Sequence, residues 1–194
     1  MVLDIEGRDR GAFKKPKDKV DKWIFADVES KHKPDVILDV ANMNNIETGS
    51  IDIVNAMELF EHVEKIEKGL DECYRVLKQK GKILITVPFL FQIHADPYDF
   101  QRWTNTKWEK ELEKRGFKIE TFKIMGRFFS VTNHIFRTFV HSSPFGFRHI
   151  LYLLFPFTDL LMKLDNTQLI INHPKLGNFH GGYFIIAKKQ ISTN

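Results

Sequence analysis

The pattern of apolar and polar positions is clearest between Ile51 and Phe89, and the rest of the chain is organised around that stretch. A short apolar run, Ile51 to Ala56, reads as a strand. Val63, Ile66, Leu70, Cys73 and Leu77 then recur at three- and four-residue steps with Glu and Lys between them, which predicts an amphipathic helix. Gly81 is the expected stop. Lys82 to Val87 is a β-branched run closed by Pro88. Strand, helix and strand in such close succession make a βαβ unit, which demands a parallel sheet with a right-handed crossover.

Met1 to Ile5, Lys22 to Ala26 and Asp35 to Val40 read as three earlier strands. Ala12 to Asp21 contains Pro16 and little apolar periodicity, so the first connection is expected to be mostly loop. Thr106 to Arg115 reads as a helix, with Thr104 or Asn105 as its N-cap and Gly116 at its end. Phe117 to Ile124 alternates as a half-exposed strand does, and Gly182 to Lys188 is the last strand. These elements predict an α/β fold: a three-layer sandwich around a mostly parallel, seven-stranded sheet, in one domain over residues 1–194. A helical insertion at residues 128–180 interrupts it before the final strand. Residues 128–164 are rich in Phe, Leu and His, with a turn at Pro144-Phe145-Gly146. In an open α/β sheet such an insertion is expected over the carboxyl edge, where ligands bind. It reads as a helical pair packed on the core, as a substrate lid, or as a surface resting on a membrane or another subunit.

Composition narrows the class. At 43% hydrophobic and 28% charged residues the chain is an ordinary globular protein. The single cysteine, Cys73, falls on the apolar face of the helix, so no disulfide framework is possible; this fits a reducing cytoplasm. No signal-peptide pattern is present at the N-terminus. The longest uncharged apolar run, Ile150 to Thr158, is about half a membrane span, so the chain is not expected to be integral to a membrane. A net charge of +4 is mild, and much of it lies in Arg8 to Lys22, where seven basic residues face three acidic ones. That stretch is a solvated loop or a patch for phosphate-bearing or acidic partners. No nucleic-acid-binding module accompanies it, and none is expected to bind.

Asp52, Glu61-His62, Glu72, Arg75-Val76-Leu77-Lys78 and Gly81 together resemble the second half of a class I S-adenosylmethionine-dependent methyltransferase of the type 11-like group. The resemblance implies a Rossmann-like fold with S-adenosylmethionine as cofactor. Val2-Leu3-Asp4-Ile5, followed by Gly7 and Gly11, is similar to the family's first motif. Glu6 and Arg8, however, stand where glycines belong. A carboxylate at Glu6 would repel the cofactor's carboxylate or fill its pocket, unless the turn is reshaped around Gly7. By the same resemblance Asp27, with Val28 beside it, receives the ribose hydroxyls, and Asp39 reaches the adenine amino group. Val40 and Ala41 then flank the ring, and Met57, Glu58 and Leu59 line the pocket floor. The competing reading is that Asp27 and Asp39 only cap turns. The resemblance assigns His62 to capping or packing the helix; no HExxH spacing exists, and no metal is expected.

His94-Ala95-Asp96-Pro97-Tyr98-Asp99, with Arg102 and Thr104, resembles the "H.DP.D..R.T" pattern of a methyltransferase subgroup associated with polysaccharide and glycoconjugate biosynthesis. His94 leaves the carboxyl edge of the fifth strand, where an acceptor meets the methyl group, and an imidazole can take a proton from a hydroxyl. Asp96 or Asp99 would orient the ring, with Arg102 pairing the other carboxylate. The alternative is a structural loop held by an Asp99–Arg102 ion pair. The implied activity is methyl transfer to a small or glycan-like acceptor, at oxygen, in the cytoplasm. A non-catalytic relative is the rival, supported by Glu6, Arg8 and a chain that begins on its first strand, which also fits a truncated product. A third reading is an assembly or peripheral membrane module working through residues 128–164.

Overall fold

Seven strands form one sheet in the order β3-β2-β1-β4-β5-β7-β6. The computed structural model describes residues 1–6, 19–94 and 98–191. Gly7, Arg8 and Gly11 lie outside them, as do residues 12–18 of the expected first loop, with Pro16, and Ala95, Asp96 and Pro97. β1 (Val2–Ile5), β2 (Trp23–Asp27), β3 (Val36–Ile37), β4 (Ile51–Met57) and β5 (Leu77–Pro88) are parallel neighbours. β6 (Phe117–Met125) and β7 (Gly182–Lys189) run antiparallel: Gly181 N–H donates to the Gly126 carbonyl while Gln190 N–H donates to that of Gly116. Strand order reverses between β1 and β4, which fixes where a parallel α/β sheet opens a crevice.

Two compact units make up the chain: Met1–Val87, Ile93–Lys123 and Phe184–Asn194 form one, and Pro88–Gln92 with Ile124–Tyr183 the other. In the first, β1 is buried along its whole length, as a central parallel strand must be, with Asp4 the one charged residue in it. The helix α1 (Ile66–Val76) buries Ile66, Leu70 and Cys73 of the predicted stripe together with Gly69 and Val76, while Val63 precedes it. It stops one residue before the predicted Leu77, and not because of Gly81. Lys189 of β7 reaches under its end, its Nζ donating to the carbonyls of Tyr74 (2.6 Å) and Leu77 (2.8 Å), where a cation satisfies the last carbonyls of a helix. Gly81 instead sits inside β5 at a register shift. A Cβ there would lie 2.9 Å from the Lys78 carbonyl oxygen and 3.2 Å from that of Asp52. The turn's left-handed residue is Lys80, at φ 65°. The third strand is shorter than expected: after Val36–Ile37 the chain bends, and Asp39 pairs with Asn42 in an isolated bridge.

α2 (Asn105–Lys114) begins as expected, with Thr104 Oγ1 accepting from the Lys107 N–H. In the second unit, α3 (Phe128–Ser142), α4 (Phe145–Tyr152), α5 (Phe155–Met162) and α6 (Gln168–Ile171) fill the predicted insertion. α3 has no cap of its own. Asp165, buried, accepts the backbone N–H groups of Arg127, Phe129 and Ser130 and supplies the anion that a helix N-terminus favours. α4 and α5 contain no buried residue.

Candidate functional site

A crevice of ≈ 370 Å³ opens at the carboxyl ends of β1, β2 and β3 and beside the segment that follows β4. Ile5 and Glu6, Val28 and Glu29, Leu38 to Ala41, and Leu59 with His62 line it, and Tyr98 closes one side. Two turns at the reversal point are held in the left-handed region by glutamates: Glu6 at φ 59° after β1, and Glu58 at φ 53° after β4. Side chains other than glycine, asparagine and aspartate rarely accept that conformation, at a cost of roughly 1–2 kcal/mol each. Glu58 is held by its N–H, which donates to both the carbonyl (2.9 Å) and the Oγ1 (3.1 Å) of Thr86. Glu6→Gly removes the strain at the first turn. Against the greater unfolded-state freedom of glycine, the expected net gain is about 0.5–1 kcal/mol, read as a melting-temperature rise of about 1–4 °C.

Of the residues that the sequence nominates for a cofactor, Glu6, Val28, Asp39 and Val40 line the crevice. Asp4, Asp27, Met57 and Glu58 do not, and Gly7 lies outside the described residues. Asp4 is buried within the sheet, where its carboxylate accepts from Trp23 Nε1 (2.9 Å) and Asn55 Nδ2 (2.7 Å); it ties β1 to both neighbours. Asp27 is 1% exposed, and its two oxygens accept from the Glu29 N–H (2.7 Å) and meet His32 Nδ1 (2.8 Å). It holds the turn that presents Glu29, which the sequence does not single out, to the crevice. Asp39 accepts the Ala41 N–H at 2.8 Å in a turn, and it also lines the crevice.

A second cluster adjoins the first through His62 and Tyr98. The segment Leu59 to Glu64 is stapled to the chain around residue 100: Phe100 N–H donates to the Glu61 carbonyl (2.8 Å), and Gln101 Nε2 donates to the Val63 carbonyl (2.9 Å). This brings Glu61, His62 and His94 together, one ligating atom of each lying within 4.8 Å of the others. Both histidines present Nε2 to Glu61 Oε1 at 3.9 Å. His62 Nδ1 is bound to the Tyr98 carbonyl at 2.5 Å. His94 Nδ1 is 3.4 Å from Asp99 Oδ2, which also accepts the His94 N–H at 3.0 Å. Asp99 is in turn gripped by both terminal nitrogens of the Arg102 guanidinium, which holds its carboxyl down at about 2. The Asp99–Arg102 ion pair of the structural-loop reading is present, and the same carboxylate contacts His94; Asp96, the other candidate, lies outside the described residues.

Glu61 is the residue whose chemistry the sequence did not disclose. It is 2% exposed, and among the described residues neither carboxylate oxygen has a hydrogen-bond partner. Burial is the main cause that pushes its carboxyl up to about 8, with the charges of Glu58 and Asp99 adding to it and Arg102 opposing.

The family described as a methyltransferase domain matches residues 19–85. No curated protein matches the sequence. Among solved structures, an S-adenosylmethionine-dependent methyltransferase from Archaeoglobus fulgidus superposes with a TM-score of 0.61 at 18% identity, over 97% of this chain and 85% of that one. The [4+2]-cyclase SpnF gives 0.61 at 14% identity, over 98% and 74%. Phosphoethanolamine N-methyltransferase 2 of Haemonchus contortus, solved with phosphomonomethylethanolamine and S-adenosylhomocysteine, gives 0.54 at 16% identity, over 98% of this chain and 49% of that one. At these identities the likeness is one of fold: the Rossmann-like methyltransferase sheet, with its antiparallel final strands. A cyclase among the neighbours means that the fold by itself does not name the reaction.

Proposed function

We propose that the protein transfers a methyl group from S-adenosylmethionine to an oxygen of a small or glycan-like acceptor. The observation that carries this is the crevice at the strand-order reversal, lined by the β1 turn at Glu6 and by the β3 end at Asp39, Val40 and Ala41. Asp39 is assigned to the adenine amino group, with Val40 and Ala41 against the ring. Asp27 and Glu29 form the ribose side, Asp27 by fixing the turn and Glu29 by facing the crevice. The match to a methyltransferase domain over residues 19–85 covers β2 through most of β5 and supports the same reading. Alignment of nucleophile, methyl and sulfur supplies much of the rate in such a displacement. The remaining demand, when the acceptor is a hydroxyl, is loss of its proton, and His94 is the catalytic residue on that side. The glycan-like class of the acceptor rests on the resemblance of His94 to Thr104 to a glycoconjugate-associated pattern.

Isothermal titration with S-adenosylhomocysteine tests the assignment. One equivalent bound by the wild type, and bound more tightly by Glu6→Gly, is the expected result, because a backbone turn without a side-chain carboxylate admits the cofactor's own carboxylate more closely. Absence of binding in both proteins overturns it and leaves a methyltransferase fold used as a scaffold.

One observation favours an additional contact. α4 and α5 contain no fully buried residue, and Phe145, Ile150, Leu153 and Phe157 are at least 60% exposed. No helix among the described residues is long and apolar enough to cross a membrane. The reading is a surface that rests on a bilayer. Flotation with anionic liposomes is expected for the wild type and lost in the double variant Ile150→Asp, Leu153→Asp; equal flotation of the two excludes these helices as the contact.

A further inference from the structure

We infer that Glu61, His62 and His94 form a binding site for one divalent transition-metal ion, of the zinc class. The sequence led to the opposite expectation, because residues 61, 62 and 94 have no metal-site spacing; the fold brings them together. Three features point the same way.

The first is the donor set. One carboxylate oxygen and two imidazole nitrogens lie within 4.8 Å of one another. Two histidines and a glutamate hold zinc in open sites, which leave further positions for water or substrate. The set contains no thiolate, as a copper(I) or iron–sulfur site would need, and only one carboxylate, too few for a calcium cage.

The second feature is the support behind each donor. A ligating histidine ordinarily gives its other ring nitrogen to a carbonyl or carboxylate, which fixes the tautomer and aims the ring. Here His62 Nδ1 is held by the Tyr98 carbonyl and His94 Nδ1 by Asp99, itself clamped by Arg102. Both rings therefore turn Nε2 toward the same oxygen of Glu61, at 3.9 Å each. The rings stand edge to face, 5.2 Å apart, which keeps them from stacking and closing the space.

The third feature is Glu61 itself. A carboxyl that is 98% buried and has no hydrogen-bond partner among the described residues is costly in either protonation state. A bound cation would satisfy Oε1, the oxygen that faces both rings. The 3.9 Å separations from Glu61, and a spread of up to 4.8 Å within the set, exceed the roughly 3.3–3.5 Å edge of a tetrahedral site with 2.0–2.1 Å bonds, so the side chains must draw in by roughly 0.5 Å toward Glu61 and by up to about 1.4 Å across the widest edge. That is within the reach of ring and carboxyl rotation.

His62 and Tyr98 also line the crevice, so an open coordination position would lie beside the acceptor's path. In this respect the inference rests on the proposed methyl transfer. The ion would hold the acceptor oxygen and lower its proton affinity, and His94 would then act as a ligand rather than as a free base.

Zinc or cobalt(II) added to chelator-stripped protein, without cofactor or acceptor, tests the site by isothermal titration and by the visible absorption of bound cobalt. One equivalent is expected. Glu61→Gln and His94→Ala should each weaken binding at least about 100-fold, the upper end of what losing a supporting partner costs. His149→Ala, which removes an exposed histidine of α4, should leave it unchanged. Glu61→Gln keeps side-chain volume, and its circular dichroism and melting temperature show whether it folds. A folded Glu61→Gln protein with unaltered affinity, or a wild type that takes up no stoichiometric ion, overturns the site. S-adenosylhomocysteine titrated in parallel keeps the two assignments apart: cofactor binding without zinc overturns the metal site alone, and zinc binding without cofactor upholds the site while removing its link to methyl transfer.

Discussion

Replacing His94 with alanine is expected to lower methyl-transfer turnover by roughly 10²–10⁴-fold, the range over which a positioned proton-handling group contributes, while leaving S-adenosylhomocysteine affinity unchanged. The split follows from placement. Every residue assigned to the nucleoside lies on β1, β2, β3 or their turns, whereas His94 follows β5 and does not line the crevice. Its partners are Asp99 and, across 3.9 Å, Glu61, both on the acceptor side of the proposed reaction. The prediction holds whether His94 takes the proton itself or holds an ion that acidifies the acceptor, since alanine removes the imidazole in both cases. A histidine that serves only to brace its loop predicts something else: a lower melting temperature, and turnover that falls in proportion to the folded fraction. Radiolabelled methyl transfer to acceptor extracts, with cofactor affinity and melting temperature on the same preparation, separates the two. Full turnover in a folded His94→Ala protein would leave alignment as the source of rate.

Most of the scaffold was legible because it is written in local periods. Ile66, Leu70 and Cys73 recur as a helix face does, and they are buried; Thr104 caps the next helix from the position predicted for it. Where local reading failed, a distant group decided the outcome. α1 ends where Lys189, more than a hundred residues later, reaches its carbonyls, and Gly81 serves the approach of β4 rather than a helix stop. The third strand is the exception, cut short after two residues by a local turn in which Asp39 engages Ala41 and Asn42. The same limit governs the site. Asp4 and Asp27 have the right type and register for ligand contact, but Trp23, Asn55 and His32 engage their oxygens, and none of those partnerships has a sequence period. Glu61 and His94 are separated by thirty-odd residues and meet only because Phe100 and Gln101 bind the backbone of Glu61 and Val63. Burial of Glu61, its defining property, is a property of the packed fold.

Arg102→Ala is expected to cost about 3 kcal/mol of stability, the lower end for removing one partner of a buried ion pair, or about 6–12 °C of melting temperature for a chain of this size. The cost falls at the lower end because the Arg102 side chain is 17% exposed while Asp99 is 2% exposed, so water reaches one partner only. What the arginine supplies is geometry as well as charge. Its two terminal nitrogens fix both oxygens of Asp99, and one of those oxygens accepts the His94 N–H and stands 3.4 Å from His94 Nδ1. Without the guanidinium, the carboxylate is left buried and unpaired by it, and the imidazole loses the group that aims it. Turnover per folded molecule should therefore fall toward the level of His94→Ala although His94 is present, with S-adenosylhomocysteine affinity unmoved. Arg102→Lys sharpens the test. A lysine ammonium restores a charge but not the planar two-pronged grip, so melting temperature should recover in part and turnover should not. If Arg102 merely braces the loop, the lysine variant recovers both together, and in the alanine variant turnover follows the folded fraction. Measuring the two variants below their melting transitions, with turnover normalised to folded protein, distinguishes a positioning residue from a brace.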